Sequence, residues 1–327
     1  MKRTRNLTGL SAGTGLLLLI FDSRLAMEAA RTGVELCMKT VIPALFPFIV
    51  LSTVLIRSMD GTGFRLLTLG TSLLGIPESA GSVLIPAFLG GYPVGAKCVH
   101  DLYRTGRLGK DQAERMLAFC SNAGPSFLFG MAGACFPEKK TAWVLWGIQI
   151  AGAVAAAFLM PVAAESRQTG DAPETERQDD ILFSALKAMG IICGWVVLFR
   201  VLTAFLQSWF LWCLPRWLQT FLTGLLELTN GCCELMLIDS ENLRFLLCSC
   251  MLSFGGLCVL LQTVSVTGEL SVKYYILGKL LQTGVSFLLS CGVIFRQGWL
   301  FMGILTVILA VIRKIQKRSG ILKPVPV

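Results

Sequence analysis

Between Leu89 and Phe129 the chain reads LGGYPVGAKCVHDLYRTGRLGKDQAERMLAFCSNAGPSFLF, and this stretch narrows the possible folds more than any other. An apolar run breaks at Gly90-Gly91-Tyr92-Pro93-Val94-Gly95, with Lys97 just beyond it. The chain then turns through a basic loop, re-enters an apolar run and breaks again at Ser121-Asn122-Ala123-Gly124-Pro125-Ser126. Helices interrupted in this way leave backbone amides and carbonyls free. A bilayer tolerates that only where the freed groups line a cavity or bind a solute.

The rest of the chain makes the bilayer the right solvent to consider. Of its 327 residues 54% are hydrophobic and 15% charged, with a mean hydropathy of +0.69, against about 25% charged in soluble domains. At about 20 residues per crossing there is room for about seven to nine spans. The expected fold class is all-α: a polytopic helical membrane protein with broken helices and re-entrant hairpins, located in the cell membrane and in contact with lipid.

The net charge of +9 sits at loops and ends, which suits positive-inside orientation and argues against nucleic-acid binding. Lys2, Arg3 and Arg5 precede the run Leu7–Phe21. No small-x-small cleavage site follows, so this reads as an uncleaved first span with a cytoplasmic amino terminus. Arg104, Arg107, Lys110 and Arg115 place the loop after the first break on the cytoplasmic side. Arg313, Lys314, Lys317, Arg318 and Lys323 do the same for the tail, and the span parity stays open. The 12 cysteines are scattered, without a Cys-x-x-Cys pair, and His100 is the only histidine. A disulfide framework, a metal site and a cofactor are therefore not expected. No hydrolase, kinase or metalloprotease motif occurs, so no catalytic residue is assigned and the chain reads as a non-enzyme.

Along the chain, 1–25 reads as an N-terminal transmembrane helix and 26–164 as a first unit. Residues 165–180 form a hydrophilic linker with six acids, 181–312 a second unit and 313–327 a basic tail. Arg24–Lys39 reads as an amphipathic helix. Pro43 and Pro47 beyond it leave two readings, a re-entrant hairpin turning near the prolines or one kinked span. Second-unit spans are expected over Ile181–Leu206, Trp209–Thr229, Leu243–Gln262, Val272–Ser290 and Gly292–Ile312.

The second unit echoes the first in order. Gly90-Gly91 is answered by Gly255-Gly256, Thr105-Gly106-Arg107-Leu108 by Thr267-Gly268-Glu269-Leu270, and Gly124-Pro125-Ser126-Phe127-Leu128 by Gly284-Val285-Ser286-Phe287-Leu288. Trp195–Phe199 answers Pro47–Leu51 more weakly, which suggests that each half opens with a hairpin. Two homologous halves with broken helices point to a transporter core whose site lies between the repeats near the midplane.

The segments FPFIVLSTVL, GGYPVGAKCVHDLYRTGRL and ERMLAFCSNAGPSFLFG, with LLELTNGCCEL in the second half, resemble the YlbJ family of sporulation integral membrane proteins. That family is grouped with proteins carrying the nucleoside-recognition or Gate domain. The wider group includes spore maturation proteins, the membrane part of the ferrous-iron transporter B and, remotely, concentrative nucleoside transporters. The resemblance spans about 30–289. It implies a spore-forming bacterium, a mother-cell or forespore membrane, and paired hairpins and unwound helices around a central solute site. It also implies a small anionic solute such as dipicolinate, or a nucleoside-like molecule. The second break, at Gly255-Gly256-Leu257, lacks the proline of the first.

The expected solute site combines Gly90, Gly91, Tyr92, Pro93, Gly95, Lys97, Ser121, Asn122 and Ser126 with Arg200, Glu227, Thr229, Asn230, Gly255 and Gly256. Lys97 either faces the solute or snorkels to the cytoplasmic surface. Arg200 stands among apolar residues in WVVLFRVLTAFL, where an arginine is expensive and usually faces a cavity or a partner, or snorkels at a helix end. Glu227 could pair with Arg200, hold a coupling cation, relay a proton or cap a helix. Ser121, Asn122 and Ser126 offer donors and acceptors to a solute or between helices. The function expected is a sporulation transporter of a small solute, with a coupling ion and a homo-oligomer left open. The alternative is a non-transporting membrane scaffold for cortex assembly.

Overall fold

The computed structural model describes residues 19–58, 74–161 and 181–298, with further positions at 13, 15–17, 71, 302, 303 and 306. Every element among them is helical. Most of the expected first span Leu7–Phe21, the linker Glu165–Asp180, the basic tail and most of Gly292–Ile312 lie outside the described residues.

Pro43 and Pro47 bend the chain without turning it back. α1 (Ser23–Leu36) starts on Asp22, whose carboxylate accepts from the Leu25 amide at 3.1 Å. It passes through one π turn, Cys37–Val41, into α2 (Ile42–Ser58). A proline lacks an amide hydrogen and crowds the carbonyl four residues earlier, here that of Lys39. The wide turn just ahead of Pro43 absorbs that conflict. Ser23–Leu55 is thus one 33-residue run long and apolar enough to cross a membrane, and of the two readings the kinked span holds. At Gly33 the helix backbones come close: a Cβ there would stand 3.1 Å from Val197 Cα and 3.2 Å from Arg200 Cβ.

The two breaks form where the glycines and prolines foretell them. α3 (Leu84–Leu89) stops at Gly90, and α4 (Val94–Arg104) restarts after Gly91, whose φ of +81° favours glycine. The Tyr92–Pro93 peptide bond between them is cis. After a turn at Gly106 (φ +70°), α5 (Lys110–Leu117) returns and unwinds before Pro125. Arg115 holds this part together by donating to the carbonyls of Leu74, Gly75 and Ala157 at 2.9, 2.9 and 3.1 Å. α6 (Lys139–Leu159) follows as an uninterrupted span.

The second unit departs from expectation in three places. Trp195–Phe199 lies inside α7 (Ile181–Trp209), a continuous 29-residue helix, and starts no hairpin. Trp209–Thr229 is not one span, because the long helix before it stops at Trp209, a new helix starts only after Pro215, and Glu227 ends that one. α8 (Arg216–Leu226) and α9 (Leu228–Glu234) instead form a short helical hairpin with its tip at Glu227. At about 1.5 Å per residue the 11 residues of α8 cannot cross about 30 Å of hydrocarbon. Gly284–Leu288 stands inside unbroken α12 (Lys273–Ile294), so the second Gly-Pro break has no structural counterpart there. The rest follows the first half: α10 (Glu241–Phe254) stops at Gly255 (φ +85°), α11 (Gly256–Thr267) restarts, and Gly268 (φ +57°) makes the turn into α12.

Among the described residues five helical runs are long and apolar enough to span. They turn large apolar side chains outward, among them Leu182, Phe183 and Leu186 on α7 and Ile276, Leu277 and Leu280 on α12. These outward positions are the surface expected to meet lipid tails. All 12 cysteines are free, and only Cys213 and Cys233 are exposed. Maleimide labelling of folded protein in mild detergent is therefore expected to fall on these two. Cys213→Ser with Cys233→Ser should remove most of the fast phase. Fast labelling that survives the double substitution would contradict the packing of the other ten.

Candidate functional site

The two unwound segments of the first unit press directly on each other. A Cβ on Gly91 would stand 3.3 Å from Gly124 N, and one on Gly124 would stand 2.9 Å from Gly91 Cα. A Cβ on Gly95 would collide with the Cys120 carbonyl oxygen, and one on Gly90 would stand 2.7 Å from Pro86 O. Asn122 ties the breaks together, donating to Ala87 O at 3.2 Å and to Phe119 O at 2.8 Å. The glycines therefore serve a close backbone approach.

Onto this pair α12 places a buried cation. Lys279 is 1% exposed. Its ammonium donates to the Ser121 carbonyl, to Gln282 Oε1 at 2.7 Å and to the Tyr92 hydroxyl at 3.2 Å. It also lies 4.9 Å from the Tyr92 ring centroid and 5.8 Å from that of Tyr275. Gln282 continues the network to Asn122 Oδ1 at 3.0 Å and to Gln149 O at 3.2 Å, and Gln149 reaches Ala123 O at 3.1 Å. α12 can sit this close because Gly278 faces the Ala118 backbone, where a Cβ would stand 2.2 Å from the carbonyl oxygen. Ser121 Oγ and Gln149 Oε1 are buried without a hydrogen-bond partner.

Tyr92 carries the network to the second unit. Its hydroxyl donates to Leu252 O at 2.9 Å, and a Cβ on Gly255 would stand 3.0 Å from its ring. Gly256, the next residue (φ +89°), faces the carboxyl end of α8, with the Gly224, Leu225 and Leu226 carbonyl oxygens 3.1–3.5 Å from a Cβ placed there. The hairpin tip lies at this end. Glu227, 2% exposed, accepts from the Thr229 amide at 3.0 Å and the Asn230 amide at 2.7 Å, which caps α9. Arg200 donates from Nη1 to Asn230 Oδ1 at 2.8 Å, while Arg200 Nε and Asn230 Nδ2 are buried without partners.

The structure thus brings Gly90, Gly91, Tyr92, Gly95, Ser121, Asn122, Gly255 and Gly256 to one place, with Pro93 as the residue from which α4 starts. Arg200, Glu227, Thr229 and Asn230 form a second polar group reached through Gly256. Lys97 is buried, but its ammonium pairs with Asp101 at 2.6 Å on its own helix. Ser126 is exposed. Lys279, Gln282 and Gln149 are the residues that reading the sequence passes over. The signal for Lys279 is the one that singles out Arg200, a fixed charge inside an expected span. Among the described residues no group of histidines, cysteines and acids is placed to hold a metal.

No family model matches the chain, and no solved structure matches it. Among curated proteins, the sporulation integral membrane protein YlbJ of Bacillus subtilis (strain 168) is 22% identical over 304 residues, covering 79% of this chain and 74% of the relative. Taken with the all-helical, multi-pass build, this similarity supports membership of the YlbJ family of sporulation integral membrane proteins.

Proposed function

We propose that the chain is a transporter that moves a small solute, either an anion such as dipicolinate or a nucleoside-like molecule, during spore cortex or core formation. The observation that carries this reading is the convergence of three helix breaks and one hairpin tip on buried polar groups in the middle of the fold. Unwound backbone and half-helix ends at mid-membrane are how transporter cores meet their solutes. Two features support a distant kinship with Gate-domain proteins and a duplicated origin. These are the shared order of break, turn and return helix, and the positive φ at both Gly106 and Gly268. On this reading Arg200, with its unpartnered Nε beside Asn230, supplies the main positive charge to the solute. Lys97, partly neutralised by Asp101, supplies a weaker one.

The test is uptake of labelled dipicolinate and labelled nucleosides by proteoliposomes of the purified full chain. Arg200→Ala is expected to lower uptake at least about tenfold, equivalent to about 1.4 kcal/mol of lost interaction. Lys97→Ala should lower it less. Uptake that neither substitution changes would sink the anion site. Proteoliposomes that take up nothing, with sporulation insensitive to Arg200→Ala, would favour a membrane scaffold.

A further inference from the structure

Lys279 directs all three ammonium protons at neutral oxygens: a backbone carbonyl freed by the second break, a side-chain amide and a phenol. Two tyrosine rings lie within cation–π range of it. No carboxylate pairs with it among the described residues. A ring of neutral oxygens around a fully buried positive charge is the coordination that a dehydrated monovalent cation takes, with carbonyls standing in for water. Unwound helix carbonyls are the usual source of such oxygens in transporter cores.

We infer that the oxygens of Tyr92, Ser121 and Gln282 form a monovalent-cation site that the protein fills with its own lysine. The tethered ammonium supplies the charge that a bound sodium or potassium ion would otherwise supply. It also fastens α12 to both breaks of the first unit at once. Because the occupant cannot leave, folding and closure of this centre need no free cation, and any cation coupling would have to use another place. Truncating the side chain at Cβ frees the oxygens for a small cation, while a bulky quaternary ammonium cannot offer protons to them.

The site belongs to the folded protein whether or not a solute moves, so it is tested by thermal unfolding in detergent at constant ionic strength. A failed uptake assay therefore leaves it standing. Wild-type protein is expected to unfold at the same temperature in sodium, potassium and choline chloride. Lys279→Ala should unfold at least about 5 °C lower and recover saturably with n-butylammonium or sodium, but not with tetramethylammonium. The inference is overturned by a wild-type protein that sodium stabilises saturably over choline, or by a Lys279→Ala protein indifferent to every cation tried. If Lys279→Ala is not recovered folded in plain detergent, it is purified in n-butylammonium. Recovery there supports the site, and failure there overturns it.

Discussion

Gly95→Ala should yield essentially no folded protein, while Gly284→Ala, also a helical glycine replaced by alanine, should fold as well as the parent or slightly better. At Gly95 the new Cβ would lie 1.7 Å from the Cys120 carbonyl oxygen and 3.0 Å from Ala87 Cα, both of them backbone. No rotamer change relieves such a contact. Either the two breaks separate or α4 shifts along its axis, and both outcomes dismantle the network around Asn122. A cost above about 4 kcal/mol is expected, in the range reserved for core overpacking with loss of buried hydrogen bonds. Gly278→Ala should behave similarly, with its Cβ 2.2 Å from Ala118 O. Gly284 has nothing within 4 Å of an added Cβ, so alanine there should gain the helix preference of about 0.5–1 kcal/mol. The measurement is the monodisperse yield after detergent extraction, with the unfolding temperature of what survives. Gly95→Ala at parental yield and temperature would contradict the close packing of the breaks.

What could be read from the residues follows how local the signal was. The breaks at Gly90–Gly95 and at Ser121–Ser126 were legible because glycine and proline act on their own turn of backbone. The meeting of Tyr92 with Gly255 was legible only through the echo between the halves, which placed both glycine pairs at the same step. The prolines of α2 left two readings open because a proline removes one hydrogen bond whether the chain bends or reverses. Here the π turn at Cys37–Val41 made bending sufficient. The α8–α9 hairpin was hidden inside an apolar run, since the tip is made by one acid capping two amides and no glycine or proline stands at Glu227. Lys279 obeys the same rule that singles out Arg200, but its sequence neighbours mask it. Lys273 and two tyrosines precede it, so that end of the span looks interfacial, and only tertiary packing against Ala118 shows how deep it lies.

Gln282→Leu tests how much of the fold depends on that centre, and it should be among the most damaging substitutions that introduce no steric clash. Gln282 accepts from Lys279 and donates to Asn122 Oδ1 and to Gln149 O, all in the interior. Leucine is apolar and ends one bond short of the amide, so it leaves one ammonium proton and two acceptors buried without these partners. Each orphaned neutral group costs about 1–3 kcal/mol and a charged one more, so a loss of about 3–5 kcal/mol is expected. Gln149→Leu is the comparison: it loses one donation, to Ala123 O, and removes an Oε1 that already has no partner, so about 1–2 kcal/mol should suffice. The two quantities come from reversible unfolding in mixed detergent, where equal losses would show that Gln282 is not the bridge. The cycle adding Lys279→Met settles whether the charge is the reason. With the ammonium gone, Gln282→Leu no longer strands a buried cation, so the double substitution should cost less than the sum of the singles. Strict additivity would mean that glutamine and lysine stabilise the breaks independently, and the shared network would then have to be abandoned.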